Sequence, residues 1–183
     1  MLKWILSLAM SVLLGWTTCY GKEELVFSEF QIKASFLLKF IKFVAYPDEG
    51  GSNGEINICV LGDDPFQGFL DTLTSSAQVR DTQGPLLRNH YIRTLNTGQK
   101  CHIIFVSKSE QRQMKNILNQ LQRKPILTVS DLPNFTSSGG MIELYVSNNR
   151  VGFIIDPTIA KEAGLVISSR LLQIAKIKES PLK

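Results

Sequence analysis

The chain has 183 residues, a formal net charge of +4 and a hydrophobic fraction of 44%. That supplies apolar material for one ordinary globular core. The mild charge, with no clustered run of Lys and Arg, argues against a nucleic-acid surface.

The first segment reads as an export signal. Lys3 supplies a positive charge, and an apolar run from Trp4 to Trp16 is interrupted only by Ser7, Ser11 and Gly15. A short stretch, Thr17-Thr18-Cys19-Tyr20-Gly21, follows. Charge, apolar core and small residues in that order make a secretory signal. The run is too short to span a bilayer, which takes about 20 apolar residues. Cleavage after Gly21 is expected, so that the exported protein begins at Lys22. Removing 21 residues from 183 leaves 162, and losing Lys3 lowers the formal charge from +4 to +3. A lipid-modified Cys19 ranks below this, because Trp16 and Thr18 occupy places where a lipobox has an aliphatic and a small residue.

Cleavage also changes the cysteine count from three to two, Cys59 and Cys101. An even count in an oxidising compartment favours one disulfide. Two free thiols on neighbouring buried strands is the alternative. His90 and His102 lie on different segments without metal-ligand spacing, so no metal or other cofactor is expected.

The first element of the exported chain is an amphipathic helix over about Glu29 to Val44. Ser28 and Gln31 form a capping box, with Phe27 and Ile32 as a hydrophobic staple. Phe30, Leu37, Phe40, Ile41 and Val44 recur at helical spacing, and Lys33, Lys39 and Lys42 are assigned to a solvated face. Tyr46-Pro47 ends the helix, and a Gly/Ser/Asn loop runs from Gly50 to Gly54.

Ile56 to Leu61 is a short apolar strand leading into Gly62-Asp63-Asp64-Pro65. Asp64 as N-cap and Pro65 in the first turn predict a helix to about Leu73. Leu86 to Ile92 alternates as an edge strand with Arg88 and His90 exposed. Cys101 to Val106 is a second buried strand. Ser107 with Glu110 opens a helix to about Gln122. Ile126 to Val129 is a third strand, ending in Ser130-Asp131.

Successive strand-then-helix units predict a parallel sheet covered by helices. Met141 to Ser147 and Arg150 to Ile155 alternate with period two around Asn148-Asn149, which predicts an antiparallel hairpin. Asp156-Pro157 starts another helix closed by Gly164, and Ser168 to Ala175 reads as a last one. The fold class is therefore α/β, a three-layer Rossmann-like mixed sheet of parallel strands plus an antiparallel hairpin, flanked by helices. Residues 22–183 are expected to form one domain.

Right-handed crossovers place Asp63, Asp64, Ser107, Ser130 and Asp131 along one carboxyl edge, where open α/β sheets bind ligands. That edge is the candidate ligand or partner site. The Asp63-Asp64 pair resembles the magnesium-binding acidic pair of receiver domains. However, the later strand ends in Val106-Ser107 and lacks the phosphoacceptor carboxylate, and export removes the chain from ATP. Asp64 is better read as a cap and Asp63 as a turn residue. Gly139-Gly140 follows no strand and precedes no helix, so it reads as a positive-φ turn and not a phosphate loop. Arg170 joins the candidate set, through an ion pair with Asp63, Asp131 or Asp156 or by holding an anion. No nucleophile elbow or acid–base pair is evident, so no catalytic residue is assigned.

Several strings in order resemble the YfiR-like family of periplasmic proteins. They are Ala34-Ser35-Phe36-Leu37-Leu38-Lys39-Phe40-Ile41-Lys42-Phe43, Ile58-Cys59-Val60-Leu61-Gly62-Asp63-Asp64-Pro65-Phe66, and Cys101-His102-Ile103-Ile104-Phe105-Val106-Ser107. Leu127-Thr128-Val129-Ser130-Asp131 with Phe135 and Gly139-Gly140-Met141-Ile142 follows, then Gly164-Leu165-Val166-Ile167-Ser168-Ser169-Arg170-Leu171-Leu172. The resemblance covers nearly the whole exported chain. It implies a non-catalytic periplasmic regulator that binds the periplasmic sensor domain of an inner-membrane diguanylate cyclase and represses cyclic-di-GMP synthesis. An outer-membrane lipoprotein that sequesters the repressor, and a role in biofilm, are implied with it. The chain departs from the namesake in having no second cysteine pair near the C-terminal hairpin, so redox control through a second bridge does not carry over. A periplasmic small-molecule sensor using the carboxyl edge is the alternative. The apolar first helix suits a core face and a homodimer face equally.

Overall fold

The computed structural model describes residues 28–47, 54–95 and 100–178. The signal segment, Phe27 of the expected staple and residues 50–53 of the glycine-rich loop lie outside them. The elements in chain order are α1 (Glu29–Phe43), β1 (Val44–Ala45), β2 (Glu55–Leu61), α2 (Phe69–Arg80), β3 (Leu86–Ile92) and β4 (Ile103–Val106). A 3-10 turn (Lys108–Gln113) leads into α3 (Met114–Leu121), followed by β5 (Leu127–Ser130), β6 (Ile142–Ser147), β7 (Arg150–Ile155), α4 (Pro157–Glu162), β8 (Val166–Ile167), α5 (Ser169–Ile174) and β9 (Lys176–Ile177).

Seven strands form one sheet in the order β3-β2-β4-β5-β6-β7-β9. The first five run parallel, β6 and β7 form the antiparallel hairpin, and β9 runs parallel to β7. Asn148 and Asn149 turn that hairpin with φ of 51° and 56°, the left-handed pair such a two-residue turn requires. β1 and β8 make a separate two-stranded ribbon. The expected mixed α/β architecture is thus present, with β3 on one edge as anticipated. Arg88 is exposed there and pairs with Glu55, but His90 is half-buried, with Nε2 2.6 Å from Asn57 Oδ1.

Strand alternation divides the core between the two faces. Ile56, Ile58 and Val60 of β2 join Ile103, Phe105, Leu127 and Val129 under Leu37 and Phe40 of α1 and Leu70 of α2. Phe153 of β7 meets Phe36 and Phe40 edge-on, with ring centroids 5.2 and 5.3 Å apart. On the opposite face Cys59, Leu61, Ile104 and Val106 pack under Ile117, Leu118 and Leu121 of α3. The Cys59–Cys101 disulfide is formed, with Cα atoms 5.8 Å apart.

Three local expectations change. The helix expected at Pro65 starts at Phe69 and runs to Arg80, past Leu73. Asp64 accepts hydrogen bonds from the Phe66 and Gly68 amides at 2.8 Å each, and Gln67 and Gly68 then take φ of 53° and 76°. Two successive left-handed residues block a continuous helix, so Asp64 stabilises a turn that precedes it. After β4, Ser107 makes no side-chain cap, and 3-10 winding replaces the first turns of the expected helix. Its amide extends the ladder by donating to Leu61 O at 3.0 Å. At the glycine pair, only Gly139 has the left-handed φ, 102°. Gly140 is required for space: a Cβ there would lie 2.2 Å from Cδ1 of Phe135.

Candidate functional site at the carboxyl edge of the sheet

The parallel register sets Leu61 beside Val106 and Val106 beside Ser130. The residues that follow, Gly62-Asp63-Asp64, Ser107 and Asp131, therefore emerge along one edge. Their surroundings differ sharply.

Asp63 and Asp64 are exposed. Asp63 pairs with Arg93 at the end of β3, and its amide donates to Ser109 Oγ at 3.0 Å. Asp64 is committed to its turn. Ser107 is buried, and Ser130 is fully buried. The Ser130 hydroxyl donates to Val106 O at 2.6 Å and accepts from the Leu132 amide at 3.0 Å. It ties β5 to β4 and aims the following loop, and neither bond leaves it turned toward solvent.

Asp131 is the centre of the edge. Its Oδ2 accepts from Lys33 Nζ at 2.6 Å, and Lys108 Nζ lies 3.5 Å away. Lys33 also donates to Glu29, one turn earlier on α1. The Lys33 and Asp131 side chains are only 8% and 7% exposed, so this is a buried ion pair. Burial alone pulls the Lys33 ammonium toward deprotonation. Its hydrogen bonds and charge attraction to Asp131 and Glu29 outweigh that and hold its pKa above the ordinary lysine value. Asp131 Oδ1 is buried without a hydrogen-bond partner.

Lys33 is therefore not on a solvated face, as its charge suggested; it plugs the N-terminal end of α1 onto the sheet edge. Spacing contained the signal. Lys33 lies three residues after Phe30 and four before Leu37, inside the apolar stripe. At the N-terminus of the same helix, the Gln31 half of the capping box is in place, with the Ser28 amide donating to Gln31 Oε1 at 2.9 Å.

Arg170 does not join this edge. It is exposed on α5, whose cap residue Ser168 donates its amide to Phe43 O at the far end of α1. That is ten residues, or about 15 Å of helix, from Lys33. The three aspartates suggested as partners are otherwise engaged. Asp63 holds Arg93 and Asp131 holds Lys33. Asp156 accepts from Lys178 at 2.8 Å while capping α4 through the Thr158 and Ile159 amides.

Both histidines contact Asn57. The Asn57 amide donates to His102 Nδ1 at 2.9 Å, and its side-chain oxygen accepts from His90 Nε2 at 2.6 Å. The His102 ring stands edge-on to Tyr46 at 5.6 Å, and burial pushes the Tyr46 phenol up from its ordinary pKa. Among the described residues no group of three or more His, Cys, Asp or Glu gathers as a metal site, and no helix is long and apolar enough to cross a membrane.

A family model described as YfiR/HmsC-like matches residues 30–176. The match spans both strand-and-helix halves of the sheet, from α1 to the first residue of β9. The chain belongs to the YfiR/HmsC-like family, a periplasmic, regulatory family.

Proposed function

We propose that this member of the YfiR/HmsC-like family is a non-catalytic periplasmic repressor. It binds the periplasmic sensor domain of an inner-membrane diguanylate cyclase and holds cyclic-di-GMP synthesis down. The observation that carries the reading is the family match over residues 30–176, nearly the whole span that follows the export signal. The site chemistry agrees with it. Three polar side chains of the carboxyl edge serve the fold: Ser130 bonds its neighbours' backbone, Asp64 its turn, and Asp131 Oδ2 bonds Lys33.

The mechanism is occupancy. Bound repressor favours the inactive conformer of the cyclase, and its release shifts the population toward the active one. An outer-membrane lipoprotein that sequesters the repressor would supply that release, and biofilm formation would follow. Residues 1–21 are the signal peptide, cleaved near Gly21, and residues 22–183 act as one domain.

Deletion of the gene tests this reading. Cyclic-di-GMP should rise, and the rise should vanish when one cyclase with a periplasmic domain is also deleted. Unchanged cyclic-di-GMP in the single deletion would falsify the repressor. A small polar ligand bound at the Asp63, Asp64, Ser107 and Ser130 edge would favour the sensor reading instead.

A further inference from the structure

Away from the carboxyl edge, α1 and α2 run side by side and do not close fully. At their N-terminal ends Phe30 and Phe69 meet edge-on, with centroids 6.3 Å apart. Toward their C-terminal ends the α2 side of the interface is the small residue Ala77, and the helices leave a groove. One lobe, about 330 Å³, lies between Leu38 and Ile41 of α1, Ala77 of α2, and Pro85 and Leu87 at the start of β3. A second lobe of about 350 Å³ shares Leu38 and Ala77 and extends to Leu73 and Arg80. Leu73, Ala77 and Arg80 trace one α2 stripe of about two turns, or roughly 10 Å.

The lining is mostly apolar, with Gln78 held against Leu87 O as its polar member, and the rim is charged. Lys39, Lys42 and Arg80 stand on it against one carboxylate, Asp81. Lys42 and Arg80 are exposed on opposite walls, and neither makes an ion pair within the described residues. An elongated apolar floor between two helices, about two turns long, has the shape that accepts the apolar face of an amphipathic helix. A rim with three cations to one anion selects a helix whose polar flanks are acidic.

We propose that the α1–α2 groove docks an acidic amphipathic helical segment of the partner protein. The segment's apolar side chains sit over Leu38, Ile41 and Ala77, and its carboxylates face Lys42 and Arg80. This rests on the repressor reading, and it names the surface and the occupant that the reading leaves open.

The test uses the full exported chain and the purified periplasmic domains of the cyclases from the same organism. Lys42→Glu/Arg80→Glu changes only exposed side chains, and Arg112→Glu/Lys115→Glu makes the same charge change on the opposite face. The first pair should weaken binding about tenfold or more and flatten its salt dependence, and the second should leave both nearly unchanged. Ala77→Trp, which fills the groove, should weaken binding while circular dichroism and thermal unfolding confirm that the fold is retained. If the wild type binds a cyclase domain and the Lys42/Arg80 and Ala77 variants bind equally well, the groove is overturned and the repressor reading stands. Should the wild type bind none of the domains, both are overturned.

Discussion

Lys33 and Asp131 stand 98 positions apart in the chain and are joined by a 2.6 Å hydrogen bond from Nζ to Oδ2. The bond fastens the first helix to the end of β5, at the carboxyl edge of the sheet. Removing one partner of a buried pair strands the other charge, at a cost of about 3–5 kcal/mol. Lys33→Met should therefore lower unfolding free energy by about 3 kcal/mol, toward the small end because Lys108 still faces Asp131. Lys33→Met/Asp131→Leu should recover most of that loss, since neither charge remains. Urea unfolding of the three proteins measures both effects, and a double variant as weak as the single one would contradict the account.

The direction of the Lys33 shift fixes a pH window. Its pKa is raised on folding, so its contribution is fully present below the ordinary lysine value and is lost as pH climbs through the higher folded value. Across about pH 6 to 9, all below that ordinary value, Lys33 should stay charged and its own contribution should stay constant. Lysine-selective NMR titration of the wild type should show no Lys33 Nζ deprotonation in that interval. A titration step there would mean that burial, not the carboxylates, dominates.

The parallel strands, the hairpin and the shared edge were legible because each rests on a local pattern: apolar runs, period-two alternation, and an Asn-Asn turn. What escaped depends on contacts distant in sequence. The two-residue strands β1, β8 and β9 carry no periodicity and exist only because their partners hold them. The charge of Lys33 predicts a solvated face, although its spacing puts it among Phe30, Leu37 and Phe40; the carboxylate that makes its burial tolerable lies 98 residues away. At Asp64 the capping chemistry was foreseen, but the left-handed backbone of Gln67 and Gly68 displaced the helix it was expected to start. Arg170 looked like a site residue from its local string, and only the position of α5 removes it from the edge.

Ser130 separates a structural role from a ligand role. Its hydroxyl is the acceptor for the buried Leu132 amide and a donor to Val106 O. Ser130→Ala leaves both without that partner, at a cost of about 1–3 kcal/mol. Thermal unfolding should show the loss, while affinity for a partner, measured well below the melting temperature, should be unchanged. A stable Ser130→Ala protein with lost binding would return the edge to the list of binding sites.

Gly140 carries a steric prediction. The Phe135 ring lies where a Cβ at residue 140 would be, 2.2 Å from Cδ1, and Phe135 is fully buried. Gly140→Ala should therefore destabilise by about 1–3 kcal/mol through overpacking. Phe135→Leu in the same chain should offset part of that loss, because the shorter side chain vacates the contact. Double-mutant unfolding measures the coupling. Strict additivity of the two losses would show that the ring is not the obstacle.

The Cys59–Cys101 bridge spans 42 positions and ties β2 to the residue two places before β4. In the chain-entropy account, a crosslink of that span stabilises by about 4 kcal/mol, chiefly by restricting the unfolded chain. Cys59 is fully buried but Cys101 is only partly so, and a reductant should approach the bridge from the Cys101 side. Cys59→Ala/Cys101→Ala should shift the urea midpoint down with little change in native circular dichroism, and added reductant should not lower that variant further. The same preparation tests export. Protein recovered from the periplasm should begin at Lys22 and weigh two hydrogens less under non-reducing conditions than after reduction. A lipid-modified Cys19 at the new N-terminus would instead mark a membrane-anchored product and overturn the assignment of residues 1–21.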